Sequence, residues 1–190
     1  MKSPLPQLAW QWRFYNMAVV KFLTETVGID CTSGLHYLAR GEHWWHVHRG
    51  LPYLIGRRVD LEKRDSHGRT ALLAALAGPG PHYQVPNADR RPGADPFWYR
   101  ETEGDPQMPF RNDAVRILIQ AGADVNTMVA YEGATSLELA KDLETTRLLI
   151  QHGATVTSEA LFESISRQDA GVVEALLFYS PVDPNEKTLA

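Results

Sequence analysis

The chain has 190 residues, 44% hydrophobic and 22% charged, with a formal net charge of -4 at neutral pH. That balance excludes global disorder, and it lacks the cationic excess expected of a general nucleic-acid or anionic-membrane binder. The single cysteine, Cys31, cannot form an intramolecular disulfide, so the sequence reads as that of a protein of a reducing compartment.

Met1 to Trp12 carries one lysine and no uninterrupted apolar run, because Gln7 and Gln11 interrupt it. No window reaches the roughly 18 apolar residues of a membrane span. The expectation is an intracellular protein, cytoplasmic or nuclear, without a signal peptide. Pro4 and Pro6 keep the start extended. From about Leu8 to Val27 the residues Trp12, Tyr15, Val19, Phe22 and Leu23 recur at helical spacing, and Gly28 ends that helix. Trp10, Trp12 and Phe14 read as part of a cap over the next apolar flank. A second short helix, Cys31 to Ala39, begins at a capping Thr32 or Ser33. The segment Glu42-His43-Trp44-Trp45-His46-Val47-His48 follows, then a short helix from Leu51 to Ile55 that Pro52 limits and Gly56 stops.

The clearest unit is Asp65 to Gly78. A polar turn with Gly68 suited to positive φ leads to Thr70, which caps an Ala/Leu helix through its hydroxyl. The same grammar returns at Gly122-Ala123-Asp124-Val125-Asn126 with Gly133-Ala134-Thr135-Ser136-Leu137-Glu138-Leu139-Ala140, and again at Gly153-Ala154-Thr155-Val156 with Ala160-Leu161. Apolar helices precede these glycines, at Val115 to Ile119 and Arg147 to Ile150, and Val172 to Leu177 repeats the pattern before Pro181. The terminators are thus Gly28, Gly56, Gly122, Gly153 and Pro181. Every interval between them except Gly56 to Gly122 fits a repeat of about 30 residues. The stretch from Thr135 to Gly153 is short for two full helices, so the turn near Asp142 must be tight.

These residues resemble the ankyrin repeat, a β-turn finger followed by two antiparallel helices with a period of about 33 residues. Asp65, Gly68, Thr70 and Leu72 carry the likeness in one copy, and Gly133, Thr135, Leu137 and Ala140 in the next; Leu35-His36 echoes the Leu-His of the family's motif. Ala71 and Ser136 stand where that motif has proline, and Leu73 and Glu138 where it has histidine. The resemblance covers about residues 14 to 185 and implies an all-α solenoid of about four helix pairs with short fingers. Its expected divisions are an N-terminal helix or capping repeat over 1–30, repeats over 31–64, 65–125 and 126–157, and a degenerate terminal repeat over 158–190.

The long interval is explained by an insertion. Residues 79–110 hold seven of the twelve prolines, and Pro106 and Pro109 argue against a regular helix there. Tyr83, Phe97, Trp98, Tyr99 and Phe110 suit a loop that packs onto something.

Function is expected to be non-catalytic. The chain has no nucleophile elbow, Walker loop, zincin motif or Cys-x-x-Cys pair, and no cofactor is expected. The resemblance implies protein binding through the fingers and the adjoining first-helix face; the net charge and the lack of an apolar span lead to the expectation of no nucleic-acid or membrane partner. The candidate contact residues are Lys63, Arg64, Ser66, His67 and Arg69 on one finger, Met128, Tyr131 and Glu132 on the next, and Trp98 and Tyr99 in the insertion. The alternative is a small-molecule or metal-dependent enzyme whose pocket lies between segment 43–48 and insertion 79–110. Its metal ligands would be His43, His46 and His48, and His36, His46 or Asp95 would act as acid or base. No single regular conformation gathers the three histidines: His43 and His46 share a helical face, whereas His46 and His48 share an extended one.

Overall fold

The computed structural model describes residues 17–26, 28, 32–40, 46–77, 108–130 and 132–179. Among them the chain is helical. The elements are α1 Met17–Glu25, α2 Thr32–Ala39, a π-helical turn His46–Gly50 running into α3 Leu51–Gly56, α4 Ala71–Ala77, α5 Met108–Gln120, α6 Ser136–Leu139, α7 Leu143–Gln151, α8 Ser158–Ser166 and α9 Ala170–Tyr179. Extended pairing among the described residues is limited to one antiparallel bridge, Met128 with Thr135. The all-α class read from the sequence holds. No helix among the described residues is long and apolar enough to cross a membrane.

The helices lie in two rows. Helices α2, α4, α6 and α8 are successive neighbours in one row, and α3 with its π-helical turn, α5, α7 and α9 in the other. Each helix of the first row also packs across on the one that follows it in sequence. The core fills the space between the rows, where Leu35, Leu54, Leu72, Leu118, Leu149 and Leu176 are all essentially inaccessible. Each such leucine contributes about 1.5–3 kcal/mol of burial. Gly50 permits the tightest approach: a Cβ there would stand 2.9 Å from Leu38 Cδ1.

Local sequence explains where the helices start. Thr70 Oγ1 accepts from the Leu73 N–H at 3.4 Å ahead of α4. Thr135 and Glu138 form a reciprocal capping box around α6, which is a single turn. Asp142 caps α7 by accepting from Thr145 N–H at 2.8 Å, and Thr157 caps α8 by accepting from Ala160 N–H. The tight connection expected after Thr135 is Ala140 to Asp142, between α6 and α7.

Helix ends repeat one device. At Gly122 and Gly153 the chain turns left-handed (φ +94° and +88°), and a 6→1 bond closes each end, Ala123 N–H to Leu118 O at 3.1 Å and Ala154 N–H to Leu149 O at 3.0 Å. Gln168 takes the same place after α8 with φ +60° and the equivalent bond from Asp169 N–H to Ser164 O. After α3 the left-handed residue is Arg58, φ +56°, whereas Gly56 is still helical. The stop assigned to Gly56 therefore moves by two positions. A second difference lies at α5, which begins at Met108 and includes Pro109, inside the segment expected to be insertion. Proline fits there because the first turn of a helix has no partner for the N–H that proline lacks. The remaining expectations for residues 1–16, 78–107 and 180–190 fall outside the described residues.

Polar contacts fix the row of α3, α5 and α7 and attach α1 to it. Asp142, which caps α7, and Glu144 in its first turn receive Arg111, Asn112 and Arg116 of α5, and His48 pairs with Asp113 at 3.1 Å. Helix α1 attaches to α3 through Thr24 Oγ1 with Tyr53 Oη at 2.7 Å and through Glu25 with Arg57 at 3.1 Å.

Candidate functional site

The turns that enter α4, α6 and α8 lie along one edge of the stack, and each is tied to the next. His36 of α2 starts the series: its Nε2 lies 2.8 Å from Lys63 O and 3.1 Å from Arg69 O. Both partners are acceptors, so Nε2 carries the proton, and Nδ1 is buried without a partner among the described residues. The histidine expected from the Leu35-His36 likeness thus holds both ends of the first turn.

Within that turn Asp65 is the organiser. Its carboxylate accepts from the His67 and Arg69 N–H groups at 2.8 and 3.0 Å and from the Arg69 guanidinium at 2.9 and 3.2 Å. Partial burial pushes the Asp65 carboxyl up, but these hydrogen bonds and the Arg69 charge outweigh it and hold the carboxyl below its ordinary value. Asp65 N–H donates to Arg69 O at 2.8 Å, and Gly68, at φ +72°, closes the loop by donating to Asp65 O.

The second turn is joined to the first by three residues. Arg64 Nη1 donates to Gly68 O at 2.6 Å and to Met128 O at 2.7 Å. Ala130 N–H also donates to Gly68 O, at 3.1 Å. Glu62 accepts from Asp124 N–H at 2.9 Å and from Thr127 Oγ1 at 3.1 Å. Asn126 plays the same role in the following layer: its Oδ1 accepts from Thr155 N–H at 2.8 Å and its Nδ2 donates to Gly153 O at 3.0 Å. Glu62 and Asn126 each stand four positions beyond a left-handed helix end, Arg58 and Gly122. Each receives the N–H two positions beyond the helix end of the next layer, Gly122 and Gly153.

The candidate contact residues divide on this frame. Arg64 and Arg69 commit their guanidinium groups to the turns; the Arg69 side chain is only 14% exposed. Lys63, Ser66 and His67 are exposed on the first turn, with the His67 side chain at 67%. Met128 is 52% exposed, and Glu132 is exposed on the same turn. Tyr131, Trp98 and Tyr99 lie outside the described residues. The edge therefore presents Lys63, Ser66, His67, Met128 and Glu132 from backbone fastened underneath. The two staples Glu62 and Asn126 were not among the sequence candidates, and the signal for them is their shared offset from a left-handed helix end.

Most of the alternative pocket, residues 43–45 and 79–107, lies outside the described residues. His46 is fully buried with its ring edge-on to Tyr37, centroids 5.3 Å apart, whereas His48 is engaged by Asp113 on α5. His43 and Asp95 lie outside the described residues. Among the described residues no group of three or more His, Cys, Asp or Glu side chains is placed to hold a metal ion. The chain matches no protein-family model and no curated protein.

Proposed function

We propose that the chain is an ankyrin-type repeat module that binds a protein partner, without catalysis, along the edge of turns carrying Lys63, Ser66, His67, Met128 and Glu132. The observation that supports this reading best is the series of cross-turn bonds from His36, Glu62, Arg64 and Asn126. A surface fixed in this way loses little ordering entropy when a partner docks. Met128 supplies an exposed apolar anchor between charged and polar groups, the composition of a binding centre with a polar rim. The ankyrin reading itself is supported by the two helical rows, the recurrent left-handed helix ends and the repeated staple at one register position.

The test is site-specific photocrosslinking in cells. A photoreactive residue at position 67 or 128 is expected to trap the same partner protein, and one at position 147, on the exposed side of α7, is expected to trap none. Adding Met128→Asp to the position-67 probe should remove the adduct. Equal adducts from all three positions, or an adduct from 147 alone, would place the partner elsewhere.

A further inference from the structure

The last described helix pair, α8 and α9, leaves an apolar surface that no other described residue covers. Helix α9, Ala-Gly-Val-Val-Glu-Ala-Leu-Leu-Phe-Tyr, has one charged residue in ten and is apolar all round. A helix of that composition is normally covered on every side. Val172, Ala175 and Leu176 are buried toward α7 and α8, yet Leu177, Phe178 and Tyr179 are exposed, Phe178 by 79%. On α8, Leu161 is buried while Phe162 and Ile165 are 70% and 54% exposed. Between the two helices runs an open groove of about 700 Å³, with Ile165, Val173, Leu177 and Phe178 in its walls.

Among the described residues the charges left open around this groove have one sign. Glu174 lines the groove one turn before Phe178, and Glu159 stands on α8 one turn before the exposed Phe162; both are exposed with no ion pair among the described residues. The nearby cation, Arg167, is consumed by Glu163 at 2.9 Å and by the carbonyls of Glu138 and Ala140 at 2.7 and 2.6 Å. An occupant must therefore offer apolar side chains to the groove and positive charge to its margins.

We propose that this end of the stack is a second docking surface, separate from the edge of turns, which takes an amphipathic helix with an apolar stripe flanked by Lys or Arg. The apolar stripe covers Phe162, Ile165 and Phe178, and the flanking cations meet Glu159 and Glu174. Charge decides which helices are accepted, as like charges at the margin are rejected.

Two fluorescent peptides of about 18 residues, long enough to form helix on binding, test this with the full chain. Both carry leucines at helical spacing; one has lysines beside them and the other glutamates. Fluorescence anisotropy should show the lysine peptide binding about tenfold or more tighter, with its advantage shrinking as salt is raised. The double variant Glu159→Lys/Glu174→Lys should invert the order. Phe162→Ser/Phe178→Ser, at exposed positions, should weaken both peptides while circular dichroism and urea midpoint stay unchanged, and Met128→Asp should leave binding intact. Binding of neither peptide, or equal binding of both, would overturn the proposal. So would a self-associated chain in sedimentation equilibrium that Phe162→Ser/Phe178→Ser dissociates, since the face would then belong to a second copy. Loss of peptide binding in Met128→Asp would place the peptide on the turns, which would sink this inference and leave the proposed function standing.

Discussion

Asn126 uses both ends of its amide on one neighbouring turn, donating to Gly153 O and accepting from Thr155 N–H. Asn126→Ala should lower stability by about 1–2 kcal/mol, the net contribution of two partly exposed hydrogen bonds, read as a shift in urea midpoint without a change in slope. Asn126→Asp keeps the acceptor and loses the donor, so it should fall between. Asp65 makes a different prediction, tied to pH. Its folded-state carboxyl titrates below its ordinary value of 3.8, so the native state holds fewer protons there than the unfolded chain. The stabilisation is complete above that ordinary value and is lost as pH falls through the folded one. Asp65→Asn removes this dependence. The variant should be less stable than wild type at neutral pH, and the difference should narrow below about pH 4, in urea titrations at both conditions. Thr70 and Gly68 were legible as structural residues because their work is local, whereas His36 was legible only as part of a short motif. Arg64 and Arg69 were legible only as charges: what engages them is Met128 O, 64 residues away, and an Asp65 carboxylate that the turn must first present.

At the scale of elements, the helix ends decide the register. Gly56 occupies the position where the sequence pattern places a terminator, but Arg58 adopts the left-handed conformation. Counting from Arg58 rather than Gly56 brings Glu62 into line with Asn126. Cβ-bearing residues incur about 1 kcal/mol or more in that region. Gln168→Gly, at φ +60°, is therefore expected to raise stability by about 0.5–1 kcal/mol after the extra freedom of glycine in the unfolded chain is deducted. Gly122→Ala should have the opposite sign, a loss of about 1–2 kcal/mol, although the new Cβ would meet nothing within 4 Å. Thermal or urea unfolding of the two variants checks both, and a neutral Gly122→Ala would remove the backbone argument. Helix α5 gives the other lesson of this scale. Proline breaks a helix only according to its position, and Pro109 sits in the one turn that tolerates it.

Across the whole molecule, stability should fall from the middle of the stack to its end, because neighbours supply most of the burial. Helix α4 has α2 and α6 beside it and α5 across from it, and Ala71 to Leu76 are all buried. Helix α9 keeps Leu177, Phe178 and Tyr179 in solvent. Amide hydrogen exchange should be slowest in α4 and α5 and clearly faster in α9, and equal protection throughout would mean that the stack opens only as one unit. The sequence by itself determined the helical class, the capped starts at Thr70 and Thr135 and the glycine-closed ends at Gly122 and Gly153. These rest on the dihedral preferences and hydrogen-bonding needs of neighbouring residues, which a linear chain displays. Only the tertiary structure decided which charges on the turns are engaged, which residues staple one turn to the next, and which faces of α8 and α9 are left open. Each of those depends on a partner that the fold brings from far along the chain, and no local pattern encodes the distance to it.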